Sequence, residues 1–267
     1  MGWCRLHYFP DLWMKGFGIM TNKTVKIAVI GGGNVAWHLM SAFGACPDVD
    51  AVPVNSRTFA SFPKDADLYL IAVKDSVVKD VSDKLPSVDG IVAHTSGSMD
   101  ISVLSKHPHR GVFYPLQTFT KGDSLNYSQI PIFLEGISSY VSKMLRQTAS
   151  LITDRVYEAD GQLRRRLHLA AVFACNFSNR LYDIADSFLR ESGFDFSVLL
   201  PLVRHTVDKL DRLTPSEAQT GPAVRGDLSV CDSQLRMIAD RPDMTEIYRL
   251  MTTSIYNSRN KDECHRL

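Results

Sequence analysis

The chain has 267 residues, 45% of them hydrophobic and 22% charged, which is the composition of a globular protein with one large domain or two modest ones. Its net charge of +1, from 30 basic and 29 acidic residues, argues against a protein dedicated to nucleic acid or anionic membranes, and no apolar run approaches the roughly 18 residues of a membrane helix. The five cysteines are scattered without a Cys-x-x-Cys pair, which argues against a disulfide scaffold or a zinc finger and predicts a cytoplasmic protein.

The beginning of the chain differs from the rest. Residues 1–20 are rich in aromatic side chains and show neither a strand nor a helix period. Charges at Arg5, Asp11 and Lys15 interrupt any apolar core of a signal peptide. We interpret residues 1–22 as a disordered or non-native extension and begin the fold at residue 23.

A glycine-rich turn follows the first predicted strand. Residues 25–30 are a β-branched run typical of a buried parallel strand, and residues 31–36 then read GGGNVA before an amphipathic stretch. This spacing suits a dinucleotide, because Gly31 allows a tight turn, Gly33 a close approach to pyrophosphate and Ala36 close helix packing. The alternative is a plain glycine turn. The predicted cofactor contacts are Gly31, Gly32, Gly33, Asn34 and Val35.

The second predicted strand, at residues 51–54, is followed by Asn55 and then by Ser56, Arg57 and Thr58. An NAD site usually places an acid about 20 residues after the glycines, where it accepts a hydrogen bond from the ribose 2′-hydroxyl. No acid stands here, whereas Arg57 can pair with a 2′-phosphate and the two hydroxyls can donate to it. The pattern favours NADP(H) as the cofactor; the alternative is an exposed loop arginine.

Strand and helix patterns alternate along the first half of the chain. Further strands are predicted at residues 68–73, 91–94, 111–114 and 130–134, and Asp75 is predicted to cap a helix. The alternation predicts an α/β fold that begins with a Rossmann-like, doubly wound parallel sheet. We assign the NADP-binding Rossmann domain to residues 23–136.

One unit of this alternation is short. Only ten residues separate Ser56 from Asp67, whereas a helix and a strand together take roughly 20 to 30. We therefore expect the usual edge strand and its helix to be missing and residues 59–64 to form a bare crossover loop.

Residues that directly follow the strands should meet at one edge, because ligands of such sheets lie beyond the carboxyl ends of the strands. The further predicted cofactor contacts are Val73, Lys74, His94 and Ser96, and Ser96 is also a predicted substrate contact. His107 and His109 flank Pro108 in what we expect to be an exposed loop, and no third ligand is nearby. We therefore predict no metal site.

The second half of the sequence is helical in pattern. Helices are predicted at residues 139–152, 163–188, 196–212, 228–238 and 244–257, the last with Asp243 and Glu246 spaced as a capping box. An all-α domain over residues 137–267 follows, for substrate binding and dimerisation. The middle of the long helix is apolar nearly all round, so we expect it to cross the centre of this domain and to be covered further by a second copy in a homodimer.

Polar residues interrupt this apolar middle at His168 and Asn176. His168 is either a satisfied core histidine or a proton donor, and the residues alone leave the two interpretations level. The basic run from Arg164 to Arg166 is either a solvated face or a phosphate contact. Arg225, in a polar turn, is either a contact for an acidic substrate group or a salt-bridge residue.

Several motifs recur together in a known family. They are the glycine turn, residues 55–58 (NSRT), 70–75 (LIAVKD), 94–98 (HTSGS), 114–119 (YPLQTF), 168–176 (HLAAVFACN) and 220–222 (TGP). From about residue 24 to its end the sequence resembles Rossmann-like proteins with a C-terminal DUF2520 domain, often labelled NADP or coenzyme F420-dependent oxidoreductases. It is more distantly similar to pyrroline-5-carboxylate reductase and the 6-phosphogluconate dehydrogenase superfamily.

This resemblance implies an NADP(H)-dependent oxidoreductase, often dimeric, that acts on a small carbonyl or imine compound between its two domains. Relatives that act on β-hydroxyacids carry a lysine four residues before the asparagine of the long helix; Val172 stands there, and His168 is the nearest substitute. The candidate catalytic residues are His168, Asn176 and Tyr114, and the candidate substrate contacts are Ser96, Gln117 and Arg225. The alternative is a non-catalytic dinucleotide-binding sensor or assembly protein.

Overall fold

A computed structural model describes residues 24–264, with side chains described as far as residue 258. The predicted extension at residues 1–22 lies outside the described residues. No helix within the described range is long and apolar enough to cross a membrane.

Seven strands of the described chain form one sheet in the order β2-β1-β3-β4-β5-β6-β7. Their bounds are β1 Val25–Ile30, β2 Val49–Val54, β3 Leu68–Ile71, β4 Ile91–His94, β5 Arg110–Pro115, β6 Ile132–Gly136 and β7 Val156–Glu158. All neighbouring strands are parallel except β5 and β6. The predicted α/β, Rossmann-like class is confirmed, but the prediction of a parallel β6 is wrong. The connection from β5 to β6 contains one 3₁₀ turn and no crossover helix, so β6 returns antiparallel.

Helices cover both faces of this sheet, as the doubly wound prediction requires. They are α1 Asn34–Gly44, α2 Asp75–Lys84 and α3 Ser139–Ala149. On one face, Ile27 and Val29 of β1 belong to a core cluster with α1 and α3. On the other face, Ala28 and Ile30 belong to a cluster with α2. Alternate residues of β1 thus pack against opposite layers, and the strand is apolar throughout.

The edge beside β2 confirms the predicted shortening. Residues 55–67 contain no helix or strand, and β2 begins at Val49 rather than at the predicted residue 51. The ring of Phe62 stacks on Tyr69 at 5.3 Å between centroids, and the Tyr69 hydroxyl donates to the Pro63 carbonyl over 2.8 Å. These contacts hold the crossover against the sheet without a helix.

Further helices follow the sheet. They are α4 Gly161–Ala171, α5 Ser178–Glu191, α6 Leu200–Asp208, α7 Pro215–Ala218, α8 Pro222–Arg225, α9 Leu228–Met237 and α10 Pro242–Cys264. The predicted single helix at 163–188 is wrong in one respect, because a π-helical segment, Val172–Phe177, separates α4 from α5. A π turn inserts a residue without removing the apolar pattern, so periodicity does not reveal it. The helix predicted at 196–212 is likewise shorter, with 3₁₀ turns on both sides of α6.

Helix starts differ from the predicted caps in two places. The N-cap of α2 is Lys74, so Asp75 lies in the first turn. Helix α10 begins at Pro242, so Asp243 does not cap it, whereas Thr214 and Glu217 form a capping box at α7. Acidic residues favour both the cap and the first turn, and the sequence pattern does not separate the two positions.

By its contacts the chain divides into a sheet-bearing unit that ends at Asn176 and a helical unit that begins at Phe177. The domain boundary after residue 136 stays a prediction; β7 and α4 both lie in the sheet-bearing unit. The apolar middle of the long helix is not buried as predicted, since Leu169 and Phe173 are 56% and 62% exposed. The periodicity of the sequence identified the apolar side chains of this helix, but it did not predict whether the rest of the chain buries them.

Candidate functional site

The glycine turn has the geometry that the sequence predicts. Gly31 has φ +143°, and a Cβ atom there would lie 2.2 Å from the Ala72 carbonyl oxygen, so only glycine fits. Its N–H donates to the Val54 carbonyl over 3.0 Å. Nothing lies within 4 Å of a Cβ built on Gly32 or Gly33. The backbone of these two glycines is therefore open to an approaching ligand.

The N-terminus of α1 is also open. Its N-cap, Gly33, has no side chain to satisfy the first-turn N–H groups, and that turn contains no acidic residue. Uncapped N–H groups and the helix dipole favour an anion at this position. The Asn34 side chain is engaged elsewhere, because its Nδ2 donates to the Phe119 carbonyl over 2.8 Å. Asn34 thereby ties the loop after β5 to the helix start.

The loop after β2 presents the residues predicted to select NADP(H). Asn55 Oδ1 accepts from the N–H groups of Arg57 and Thr58, at 2.9 and 3.3 Å, in an Asx turn. Arg57 and Thr58 are exposed, and Ser56 is half-buried. Within the described residues the Arg57 guanidinium has no partner. Sequence reasoning gave Asn55 no role, although an asparagine directly after a strand is a recognised turn signal.

Tyr114 and His168 form a pair at the carboxyl ends of β4 and β5. The Tyr114 hydroxyl lies 3.0 Å from His168 Nδ1, and the two rings meet edge to face. A Cβ atom on Gly97 would lie 2.7 Å from Tyr114 Cζ and 2.9 Å from His168 Cγ. Gly97 is thus required for the pair to pack on the loop after β4, a role that the sequence did not reveal because the contact spans 71 positions from Gly97 to His168.

Burial keeps two titratable side chains, Tyr114 and His94, in their neutral forms. Burial, and next the charge of Asp75, raise the pKa of Tyr114 to about 12, while Arg164 opposes the shift. Burial, and next the charge of Arg164, lower the pKa of His94 to about 4. At neutral pH Tyr114 is a phenol and His94 an uncharged imidazole.

The loop after β4 is held by its own side chains. His94 Nδ1 accepts from the Ser96 N–H over 3.2 Å, and Ser96 Oγ accepts from the N–H groups of Ser98 and Met99 at 3.1 and 3.0 Å. Ser98 Oγ in turn donates to Asp75 Oδ2 over 2.5 Å. In this structure His94 and Ser96, predicted as ligand contacts, shape the loop that carries Gly97.

Arg164 is neither a solvated residue nor a phosphate contact, the two alternatives left open for the basic run. It is fully buried, pairs with Glu135 and donates from Nη2 to the Met99 carbonyl over 2.6 Å. Arg165 lies on the surface, 3.7 Å from Asp100. The sequence could not reveal Arg164 as a core residue, because arginine is seldom buried.

The remaining predicted site residues are described by their own surroundings. Val73 is half-buried and Lys74 exposed where β3 ends, Asn176 is exposed in the π segment, and Arg225 is exposed on α8 of the helical unit. Gln117 Oε1 accepts from the Thr118 N–H over 2.8 Å. Their roles as contacts stay predictions.

The two-histidine loop does not have the predicted exposure. His107 is buried, with Nε2 3.2 Å from Ser82 Oγ, because this side chain fills the space beneath α2. Among the described residues, no three His, Cys, Asp or Glu side chains converge as a metal ion would require.

Comparison with known proteins gives the family. Residues 130–255 match the domain of unknown function DUF2520. The chain is 34% identical to a proposed NADP oxidoreductase from Bacteroides fragilis, with a TM-score of 0.78 over 89% of this chain and 100% of that one. No curated protein matches the sequence.

Two more distant structures share the fold alone. A 1-pyrroline-5-carboxylate reductase from Streptococcus pyogenes is 12% identical, with a TM-score of 0.57 over 89% of this chain and 100% of that one. An imine reductase from Myxococcus stipitatus, solved with NADP⁺, is 15% identical, with a TM-score of 0.53 over 88% and 93% of the two chains. On its identity to the Bacteroides protein over the full length of that chain, and on the domain match, the chain belongs to the Rossmann-fold family that carries the DUF2520 domain.

Proposed function

We propose that the protein is an NADP(H)-dependent oxidoreductase that transfers a hydride to or from a small carbonyl or imine compound. The observation that carries the proposal is the Tyr114–His168 pair, which stands at the carboxyl edge of the same sheet as the open glycine turn. Ligands of parallel sheets bind at that edge. The names of the Bacteroides relative and of the two distant structures are consistent with this chemistry.

The chain fits a dinucleotide at the glycine turn. The open backbone of Gly32 and Gly33 and the uncapped start of α1 would hold the pyrophosphate. The unpaired guanidinium of Arg57 would pair with a 2′-phosphate, which favours NADP(H) over NAD(H). A bound nicotinamide supplies or receives the hydride.

His168 would handle the proton. The protonated imidazole carries a hydrogen on each ring nitrogen, so Nδ1–H donates to the Tyr114 oxygen and Nε2–H is left for a substrate oxygen or nitrogen. Because burial keeps Tyr114 protonated at neutral pH, it holds the imidazole and does not compete as the acid. His168 is the catalytic residue in this scheme and Tyr114 orients it.

The test is NADPH consumption by the full chain in the presence of a panel of ketones, aldehydes and imines. Gly33→Asp places a negative charge at the phosphate position and should abolish NADPH binding and turnover together. Gly44→Asp, at the far end of α1 where nothing lies within 4 Å of a built Cβ, is the matched control and should retain both. If the wild type binds NADPH, Gly33→Asp abolishes that binding, and no substrate is turned over, the result would support a non-catalytic dinucleotide-binding sensor instead.

We also propose a homodimer through the helical unit. Fifteen large hydrophobic side chains of its described residues are more than a third exposed, among them Phe194, Leu202, Leu228, Met237 and Leu250. Together they expose on the order of 1,000 Å², against the roughly 800 Å² that each partner contributes to a stable interface. Light scattering at micromolar concentration should give twice the chain mass. Leu202→Asp should weaken the dimer and Arg204→Asp, on the opposite side of α6, should not; a monomeric wild type would refute the proposal.

A further inference from the structure

Arg164 connects three parts of the sheet-bearing unit. It belongs to α4, its guanidinium pairs with Glu135 at the end of β6, and its Nη2 donates to the Met99 carbonyl in the loop after β4. Its side chain is fully buried. This one side chain therefore fixes the distance between a helix, a strand and a loop.

Both supports of the Tyr114–His168 pair depend on these contacts. His168 stands four residues after Arg164, one turn further along the same face of α4. Met99 lies two residues after Gly97 in the same loop, where Gly97 packs against both rings, and Ser96 Oγ accepts from the Met99 N–H over 3.0 Å. Arg164 thus anchors the helix that carries the imidazole and the loop on which the imidazole rests.

Stability alone does not account for this ion pair. The Arg164 side chain is fully removed from water and that of Glu135 is 21% exposed. Burial of a charge carries a desolvation cost of several kcal/mol, and apolar residues of similar volume are often as stable or more so. Arg164 Nε, moreover, is buried without a hydrogen-bond partner among the described residues. The presence of a buried guanidinium here is explained if its hydrogen bonds or its charge hold the neighbouring Tyr114–His168 pair in place.

We propose that Arg164 is a positioning residue that sets the His168 imidazole against Tyr114 and Gly97. The expected effect on turnover rests on the proposed function, whereas the effect on the position of the His168 ring does not. The guanidinium also interacts electrostatically with the pair, since its positive charge lowers the pKa of Tyr114 and so opposes the effect of burial. Loss of the fork would release His168 from Tyr114 even where the helix itself survives.

Two variants distinguish the hydrogen-bonding geometry of the Arg164 guanidinium from its positive charge. Arg164→Lys keeps the positive charge but cannot bind Met99 and Glu135 as a planar fork does. Arg164→Met combined with Glu135→Leu removes the pair and leaves no buried unpaired charge, so that this variant can fold where the single change to Met would not. Arg165→Lys, at the adjacent surface position of α4, is the matched control.

The first readout is ¹⁵N NMR of the imidazole nitrogens in the full chain, with His168 assigned from His168→Gln. Tyr114→Phe gives the reference signal of an Nδ1 that has lost its partner. We expect Arg164→Lys and the double variant to move the Nδ1 signal of His168 to its position in Tyr114→Phe. We expect Arg165→Lys to leave that signal unchanged. Folded Arg164 variants with the wild-type Nδ1 signal would overturn the proposal.

The second readout is turnover with a substrate found in the panel. Misplacement of a catalytic group by about 1 Å costs up to 100-fold, so kcat should fall by about 10- to 100-fold while the Kd for NADPH stays within about twofold. The two proposals fail separately. Absence of turnover in the wild type would refute the oxidoreductase, while the NMR result would still decide whether Arg164 positions the ring.

Discussion

The sheet-bearing unit and the helical unit differ in what they bury. In the first, two core clusters lie on the two faces of the sheet, and Phe43, Leu70 and Phe113 have no solvent exposure. In the second, only Ala223, Cys231, Ile238 and Thr245 are buried among the described residues. The sheet-bearing unit has the core of an independent domain, and the helical unit lacks one. The helical pattern predicted most of the helices of this unit, but it did not predict how little of their apolar surface the described chain covers.

The largest expected effect compares the two units directly. Phe43→Ala removes a fully buried ring and should lower the free energy of unfolding by about 3–5 kcal/mol, whatever the protein concentration. Leu202→Ala, at a side chain that is 62% exposed, should cost little in dilute solution and more where a dimer forms. Urea unfolding of both variants at low and high concentration measures this. A Leu202→Ala cost that does not depend on concentration would break the comparison.

Acid should affect the sheet-bearing unit through His94. Because burial lowers the folded-state pKa of His94 to about 4, below the unfolded value near 6.5, the unfolded chain binds the proton more tightly. Its contribution is present above pH 6.5 and is lost as the pH falls toward 4, by on the order of 2–3 kcal/mol.

Urea unfolding at several pH values between 7 and 4.5 tests this effect. His94→Gln should remove that part of the pH slope, even if it lowers stability at every pH. An unchanged slope in the variant would assign the acid sensitivity to other groups.

A smaller effect concerns the cofactor. Arg57→Ala should weaken NADP(H) binding by about 1.5–3 kcal/mol, the range for a hydrogen bond to a charged group, and should leave NAD(H) binding almost unchanged. The loop itself should keep its shape, because Asn55 holds the backbone of Arg57 and not its side chain. Calorimetry with both cofactors measures the difference, and equal affinities in the wild type would contradict the assignment.

The sequence predicted those parts of the fold that depend on neighbours along the chain. The strand that ends at Ile30, the glycine turn and the missing unit after Ser56 follow from local spacing and are present in the structure. The antiparallel β6 was not predictable from its own residues, because strand direction depends on the connection rather than on the strand.

The candidate site divides in the same way. Tyr114 and His168 were each identified from the sequence, but their contact was not, since 54 positions separate them. Gly97 and the ion pair of Arg164 with Glu135 are also long-range, and nothing in the local pattern distinguishes them. The sequence therefore predicts which residue types a site contains more readily than it predicts which of them are in contact.

The most direct test of the account is made on one variant, His168→Gln, by two measurements. The specific rate of NADPH oxidation should fall by about 10²- to 10⁴-fold, as for the loss of a general acid, while NADPH binding is retained. The melting temperature should change little, because His168 is only half-buried. A variant with a lower melting temperature and the full specific rate would contradict the account and make His168 a structural residue.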